Sequence, residues 1–145
     1  MKRERRRART LALQTLYEVD TVGHPAAQVL ARHIDGNQSL SENNAEFMKD
    51  LVMGVLELAP ELDEYIANSA PEWPVDQIAV LDRNILRMAL WEIAVSDETP
   101  LKVAINEAVE LAKKFGSDSS SRFINGVLGT LAKQSNELRQ QFLSN

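Results

Sequence analysis

Apolar residues recur at three- and four-residue steps along almost the whole chain, with turn residues between the periodic segments and no convincing pair of strands. Such a pattern specifies an all-α protein, because a 3.6-residue repeat gathers these residues onto one face of each element. At 145 residues, 44% hydrophobic and 26% charged, the chain can bury one ordinary core and is too apolar for disorder. A single domain of six or seven helices is expected over residues 1–134, followed by a C-terminal tail, 135–145, whose helix can fray.

A first helix is expected over residues 5–20, with Ala8, Ala12, Leu16 and Val19 on one stripe and Leu11, Leu13 and Tyr17 widening it. Pro25 can open a second helix carrying Val29, Leu30, His33 and Ile34, and the polar stretch 36–44 reads as a loop. Residues 42–59 align Phe47, Leu51, Val55 and Leu58, after which Pro60 is expected to start a separate short segment with Leu62 and Ile66. Ala70-Pro71 and Trp73-Pro74 break the chain, since a residue before proline is pushed out of the α region. The least polar helix is expected over 75–96, with Ile78, Leu81, Ile85, Met88 and Trp91 as its stripe. Another runs over 102–115 and ends at Gly116; Asp118 or Ser119 can cap the next, which carries Phe123, Val127, Leu128 and Leu131. Gly54, Gly126 and Gly129 each cost about 1 kcal/mol inside a helix, for which close helix packing is the expected return and close approach of a ligand the alternative.

Charge is distributed unevenly. Lys2, Arg3, Arg5, Arg6, Arg7 and Arg9 face only Glu4, so this arm is +5 on a chain of net charge −5, and the body behind it is −10. An arm of this kind either contacts phosphates or is a solvated helix end. Cysteine is absent, which excludes a disulfide scaffold, a thiolate metal site and a cysteine nucleophile, and agrees with a cytoplasmic location. No apolar run approaches the roughly 18 residues of a membrane helix. A signal peptide is not expected either, because Glu18 and Asp20 interrupt the apolar stretch after the arm.

No catalytic constellation is present, and neither a cofactor nor a metal is expected. His24 and His33 have no partner at metal-ligand spacing, and no lysine follows a glycine-rich loop. Asp82, Arg83, Arg87 and Glu92 on the least polar helix, with Glu107 on the next, are expected to meet in a partly buried ion-pair network rather than in an acid/base pair. The ingredients for single-stranded RNA are better represented: cations for phosphates and aromatic faces for splayed bases. Arg5, Arg6, Arg7 and Arg9 supply charge, Tyr17 follows them, and Phe115 and Phe123 flank a loop, 116–121, beside Arg122. The loop's hydroxyls and the N-terminus of the helix after it offer donors to a phosphate. Aromatic residues at helical spacing also serve as core, and that alternative stands for each of the three rings.

RRRAR at 5–9 with ALQ at 12–14 and LY at 16–17, DRNILRMALWE at 82–92, PLKVAINEAVELAK at 100–113 and FINGVL at 123–128 resemble, in order and spacing, the NusB family of bacterial transcription antitermination factors. The resemblance covers residues 3–132. It implies two small helical bundles sharing one core, and a protein, not an enzyme, that binds the boxA element of RNA as a heterodimer with NusE, a ribosomal small-subunit protein. The pair would join the RNA polymerase elongation complex with other Nus factors, notably on ribosomal RNA operons. Carried onto this sequence, the RNA surface is Arg3, Arg5, Arg6, Arg7, Arg9, Tyr17, Phe115, Asp118, Ser119, Arg122 and Phe123. A homodimer that buries the arm is left open by the sequence.

The loop departs from the family pattern, in which two adjacent acids precede a serine; here Asp118 is followed by Ser119, Ser120 and Ser121. One negative charge near the RNA path is missing, which is expected to strengthen phosphate contact. The alternative function is an RNA-recognition domain related to that of ribosomal RNA cytosine methyltransferases, acting without catalysis of its own. No glycine-rich cofactor loop or α/β pattern is present here to bind a methyl donor.

Overall fold

A computed structural model describes residues 2–96 and 98–144, the side chains of Lys2, Arg3 and Ser144 excepted. The described residues form seven α-helices and one 3₁₀ turn, with no strand. They divide into two compact units, Met1–Glu57 and Leu58–Asn145.

In the first unit α1 (Lys2–Val22) packs on α2 (Ala26–Asp35). Ala8, Leu11, Ala12, Leu13 and Leu16 of α1 and Val29 and Leu30 of α2 are buried, while Val19, His33 and Ile34 of the expected stripes are only part-buried and Tyr17 is exposed. Gly23 stands between the two helices at a φ of +80°, a left-handed conformation that favours glycine at this turn. Pro25 caps α2, as its fixed φ allows. Thr10, Thr15 and Thr21 of α1 each return their hydroxyl to the carbonyl four residues earlier, which satisfies the hydroxyl within the helix.

Pro60 does not start a new element: α3 runs unbroken over Glu42–Ser69. A proline there removes one helical N–H bond and crowds the carbonyl four residues back, at a cost of about 3 kcal/mol. The helix persists because its buried stripe continues in phase through the proline, from Leu51 and Val55 to Leu62 and Ile66, while Pro60 itself faces solvent.

In the second unit the apolar helix expected over 75–96 is in two pieces, a 3₁₀ turn at Val75–Gln77 and α4 at Val80–Ala94. Ile78 and Ala79 are extended between them (ψ 135° and 141°), which buries Ile78 at the start of α4. α4 is buried on most of its circumference and packs against α5 (Leu101–Phe115), α6 (Ser120–Ala132) and α7 (Ser135–Ser144). α7 occupies the region expected to be a tail that can fray. Leu138 is 1% exposed, the Phe142 ring lies 5.4 Å from that of Tyr65, and Arg139 donates to the Ser96 carbonyl at 2.8 Å.

The charged groups of α4 have partners beyond the expected cluster. Arg87 makes a two-pronged pair with Asp63 of α3, Nε to Oδ1 and Nη2 to Oδ2, both at 2.7 Å. Glu92 accepts a hydrogen bond from Thr99 at 2.8 Å, and Asp82 accepts one from Ser120 at 3.1 Å.

Candidate nucleic-acid interface

The first turns of α1 hold the cationic arm. Arg6 and Arg7 are exposed, and the guanidinium of Arg5 lies 4.1 Å above the ring of Phe47, itself buried. Arg7 Nη2 donates to Asn37 Oδ1 at 2.7 Å, and Glu4, the arm's one acid, accepts from Asn44 Nδ2 at 3.2 Å. Cations here oppose the helix macrodipole, whose positive end is the N-terminus, by about 0.3–1 kcal/mol each. A bound anion is favoured at this end and offsets that cost.

The structure differs from the sequence-based expectation at Arg9. Its residue is 4% exposed and its guanidinium lies 5.2 Å from the Phe47 ring centre, so it faces inward. The cause is helical phase: position 9 falls on the same side of α1 as Leu13 and Leu16. Arg3 lies outside the residues whose side chains are described.

Tyr17 follows on α1, 43% exposed, so its ring is offered to solvent rather than used as core. Beside it in sequence, Glu18 accepts from His24 Nδ1 at 2.7 Å and from the Arg32 guanidinium. The hydrogen bond from Arg32, and then that from His24, holds its carboxyl below the usual range. His33 on α2 is half-buried; desolvation first, and the Arg32 charge second, lower its pKa, against a smaller opposing pull from Glu18.

In the second unit the loop between α5 and α6 is built around one hydroxyl. Ser120 Oγ accepts from the Ser117 backbone N–H at 2.9 Å and donates to Asp82 Oδ2 at 3.1 Å, and Ser120 is 2% exposed. Gly116 permits this fold-back by its lack of a side chain: a Cβ there would lie 2.5 Å from Ser120 and 2.8 Å from the Ala112 carbonyl oxygen. The Ser120 hydroxyl is thus committed inward, while Asp118 and Ser119 are exposed. Phe115, half-buried, has the Lys114 ammonium 5.3 Å from its ring centre.

Three of the residues anticipated from sequence come together at a cavity of about 380 Å³, whose wall includes Ser119, Arg122 and Phe123. Trp73, Gln77, Ile78, Ala79 and Asp82 form the rest of the wall, and none of them is a site residue anticipated from sequence. Trp73 is 53% exposed. Asp82, 8% exposed, has its Oδ1 buried with no hydrogen-bond partner among the described residues. Exposed Arg122 has no ion-pair partner among them. Chemically this is a site for a flat group against aromatic side chains, with the Arg122 cation for an anionic substituent. The one sequence signal for Asp82 is a carboxylate on an apolar helix, a position that the sequence alone assigns to an ion-pair network.

Gly126 and Gly129 do not serve the helix packing expected of them: a Cβ at either meets nothing within 4 Å. Among the described residues no group of three or more His, Asp or Glu could hold a metal, and no helix is long and apolar enough to cross a membrane.

Exposed cations and exposed aromatic rings on an all-helical protein are the features of a nucleic-acid-binding protein. Residues 6–133 match the NusB family model. The transcription antitermination protein NusB of Roseiflexus sp. (strain RS-1) is 49% identical over 138 residues, which cover 94% of this chain and 96% of that one. Among solved structures, T. maritima NusB superposes with a TM-score of 0.83 at 29% identity, covering 90% of this chain and 91% of that one. A NusB bound to NusE and double-stranded RNA gives 0.82 at 25% identity, covering 92% of this chain and 98% of that one. The chain belongs to the NusB family, and the relatives it matches are transcription antitermination proteins.

Proposed function

We propose that this protein binds the boxA element of single-stranded RNA together with NusE and, in the cytoplasm, joins the elongating RNA polymerase complex with other Nus factors, notably on ribosomal RNA operons. The observation that carries the reading is the start of α1, where Arg6 and Arg7 are exposed within the first two turns, near the helix end that disfavours cations. The similarity to a NusB seen with NusE and RNA supports the choice of partners. Arg5, Arg6, Arg7 and Tyr17 form the part of the RNA surface in the first unit. Phe115, Asp118, Ser119, Arg122 and Phe123 form the part in the second, extended by Trp73 at the same cavity. Arg9 supports the arm from beneath.

Phosphates engage the arginines, and bases stack on exposed rings, a contact of about 1–3 kcal/mol per base. Ser119 in place of an acid keeps the loop's charge compatible with a phosphate, so Ser119→Asp lowers RNA affinity. The test is fluorescence anisotropy of labelled boxA RNA and a scrambled RNA of equal length, with and without NusE, at two salt concentrations. A preference for boxA that sharpens with NusE is the expected result; equal binding of both RNAs contradicts specific recognition, and no binding contradicts the function.

A further inference from the structure

Asn37, which no sequence motif singles out, is the sole partner of Arg7 among the described residues. The contact spans 30 residues and joins the arm to the turn after α2. The asparagine is itself fixed. Its Nδ2 donates to the His33 carbonyl at 2.7 Å, its backbone N–H donates to the Ile34 carbonyl at 3.2 Å, and its carbonyl accepts from the Leu40 N–H at 2.9 Å. With Nδ2 committed to His33, the amide has one orientation left, and that orientation aims Oδ1 at Arg7.

The acceptor is neutral. A carboxylate here would orient the guanidinium equally well but would cancel its charge, and the charge is what a phosphate pays counterions to reach. An amide oxygen occupies one N–H of the guanidinium and leaves its remaining donors, and its full positive charge, facing solvent. Holding the side chain before the ligand arrives removes part of the ordering cost of binding, about 0.5–1.5 kcal/mol for a long flexible side chain.

From this geometry we infer that Asn37 is a positioning residue for RNA binding: it pre-orders Arg7 for a phosphate without neutralising it. The inference rests on the RNA-binding function proposed above and adds to it a residue outside the arm.

The experiment compares the unsubstituted chain with R7A, N37A and N37D by anisotropy of labelled single-stranded boxA RNA across a salt series, with thermal melting of each variant. R7A should flatten the salt slope by about 0.7, the value of one phosphate contact on a single strand. N37A should weaken binding about 2- to 10-fold, the range set by the ordering cost, with the slope unchanged because Arg7 keeps its charge. N37D should flatten the slope as R7A does, although its carboxylate restores a link to Arg7. A purely structural asparagine would give the opposite pattern, with N37D closer to the parent than N37A. N37S replaces N37A if the alanine variant does not fold. Failure of the unsubstituted chain to bind RNA overturns the function and the inference together. Binding that falls with R7A but keeps its parent strength and slope in N37A and N37D overturns the inference alone, as does binding that is indifferent to R7A.

Discussion

Arg7 and Arg87 each sit on a helix and each donate at 2.7 Å to a side-chain oxygen from a distant segment, yet they are built for opposite ends. Arg87 meets the carboxylate of Asp63 with two parallel hydrogen bonds, and the two side chains are 12% and 27% exposed. There the guanidinium is neutralised by the protein itself, as a charge withdrawn from water must be. Arg7 is exposed and, among the described residues, meets only an amide, so its charge remains available to something outside the chain. Equal bond lengths therefore say little about the role of an arginine; the charge of the acceptor and the depth of the pair say most of it.

The largest effect expected from breaking this contrast is on RNA. Replacing Arg5, Arg6 and Arg7 together by Ala should lower the salt slope by about 2, which at 0.1 M salt corresponds to about a hundredfold in affinity. Thermal stability should hold, because removing cations from the N-terminus of α1 relieves an unfavourable dipole interaction while the Arg5 contact with Phe47 is lost. Anisotropy and calorimetry on the same variant check both halves.

R87A should behave inversely. It leaves Asp63 without its two-pronged partner, and unfolding in urea should show a loss of about 2–3 kcal/mol, below the 3–5 typical of a fully buried pair because Asp63 retains some solvent. RNA affinity should be unmoved when measured well below the melting temperature.

The smallest effect is on pH. His33 has a lowered pKa in the folded state, so the unfolded chain takes up a proton first and stability falls as pH drops below the ordinary imidazole value of about 6.5. Glu18 also has a lowered pKa, and its contribution is present above the ordinary carboxylate value and lost at more acid pH, as the folded carboxyl is protonated. Melting curves between neutral and acid pH should therefore shift downward in two separate windows, with H33Q removing the first and E18Q the second.

The all-α class, most of the α1 stripe, the extent of α5 and the start of α6 could be read from the sequence because each rests on local signals. Pro60 misled because proline's effect is local and the continuity of the buried stripe through it depends on packing. Ala79 gave no signal, since an extended residue before a helix needs no special side chain. Arg9 shares the composition of its neighbours, but its phase along the helix places it on the apolar side.

At the candidate site the cations, Tyr17, Ser119, Arg122 and Phe123 were found from residue type. Their partners were not, because the deciding contacts join residues far apart in sequence: Arg7 with Asn37, Arg87 with Asp63, and Asp82 with Ser120 across 30, 24 and 38 positions. Periodicity says which face a residue occupies and is silent on which distant turn meets that face.

The most direct test is to follow the arginine side-chain Nε–H resonances by NMR while boxA RNA is added to the labelled protein with NusE. The Arg7 signal should shift and saturate with the RNA, and the Arg87 signal should stay in place. A shift at Arg87 with none at Arg7 would contradict the division between an arginine kept charged for RNA and an arginine spent on the fold.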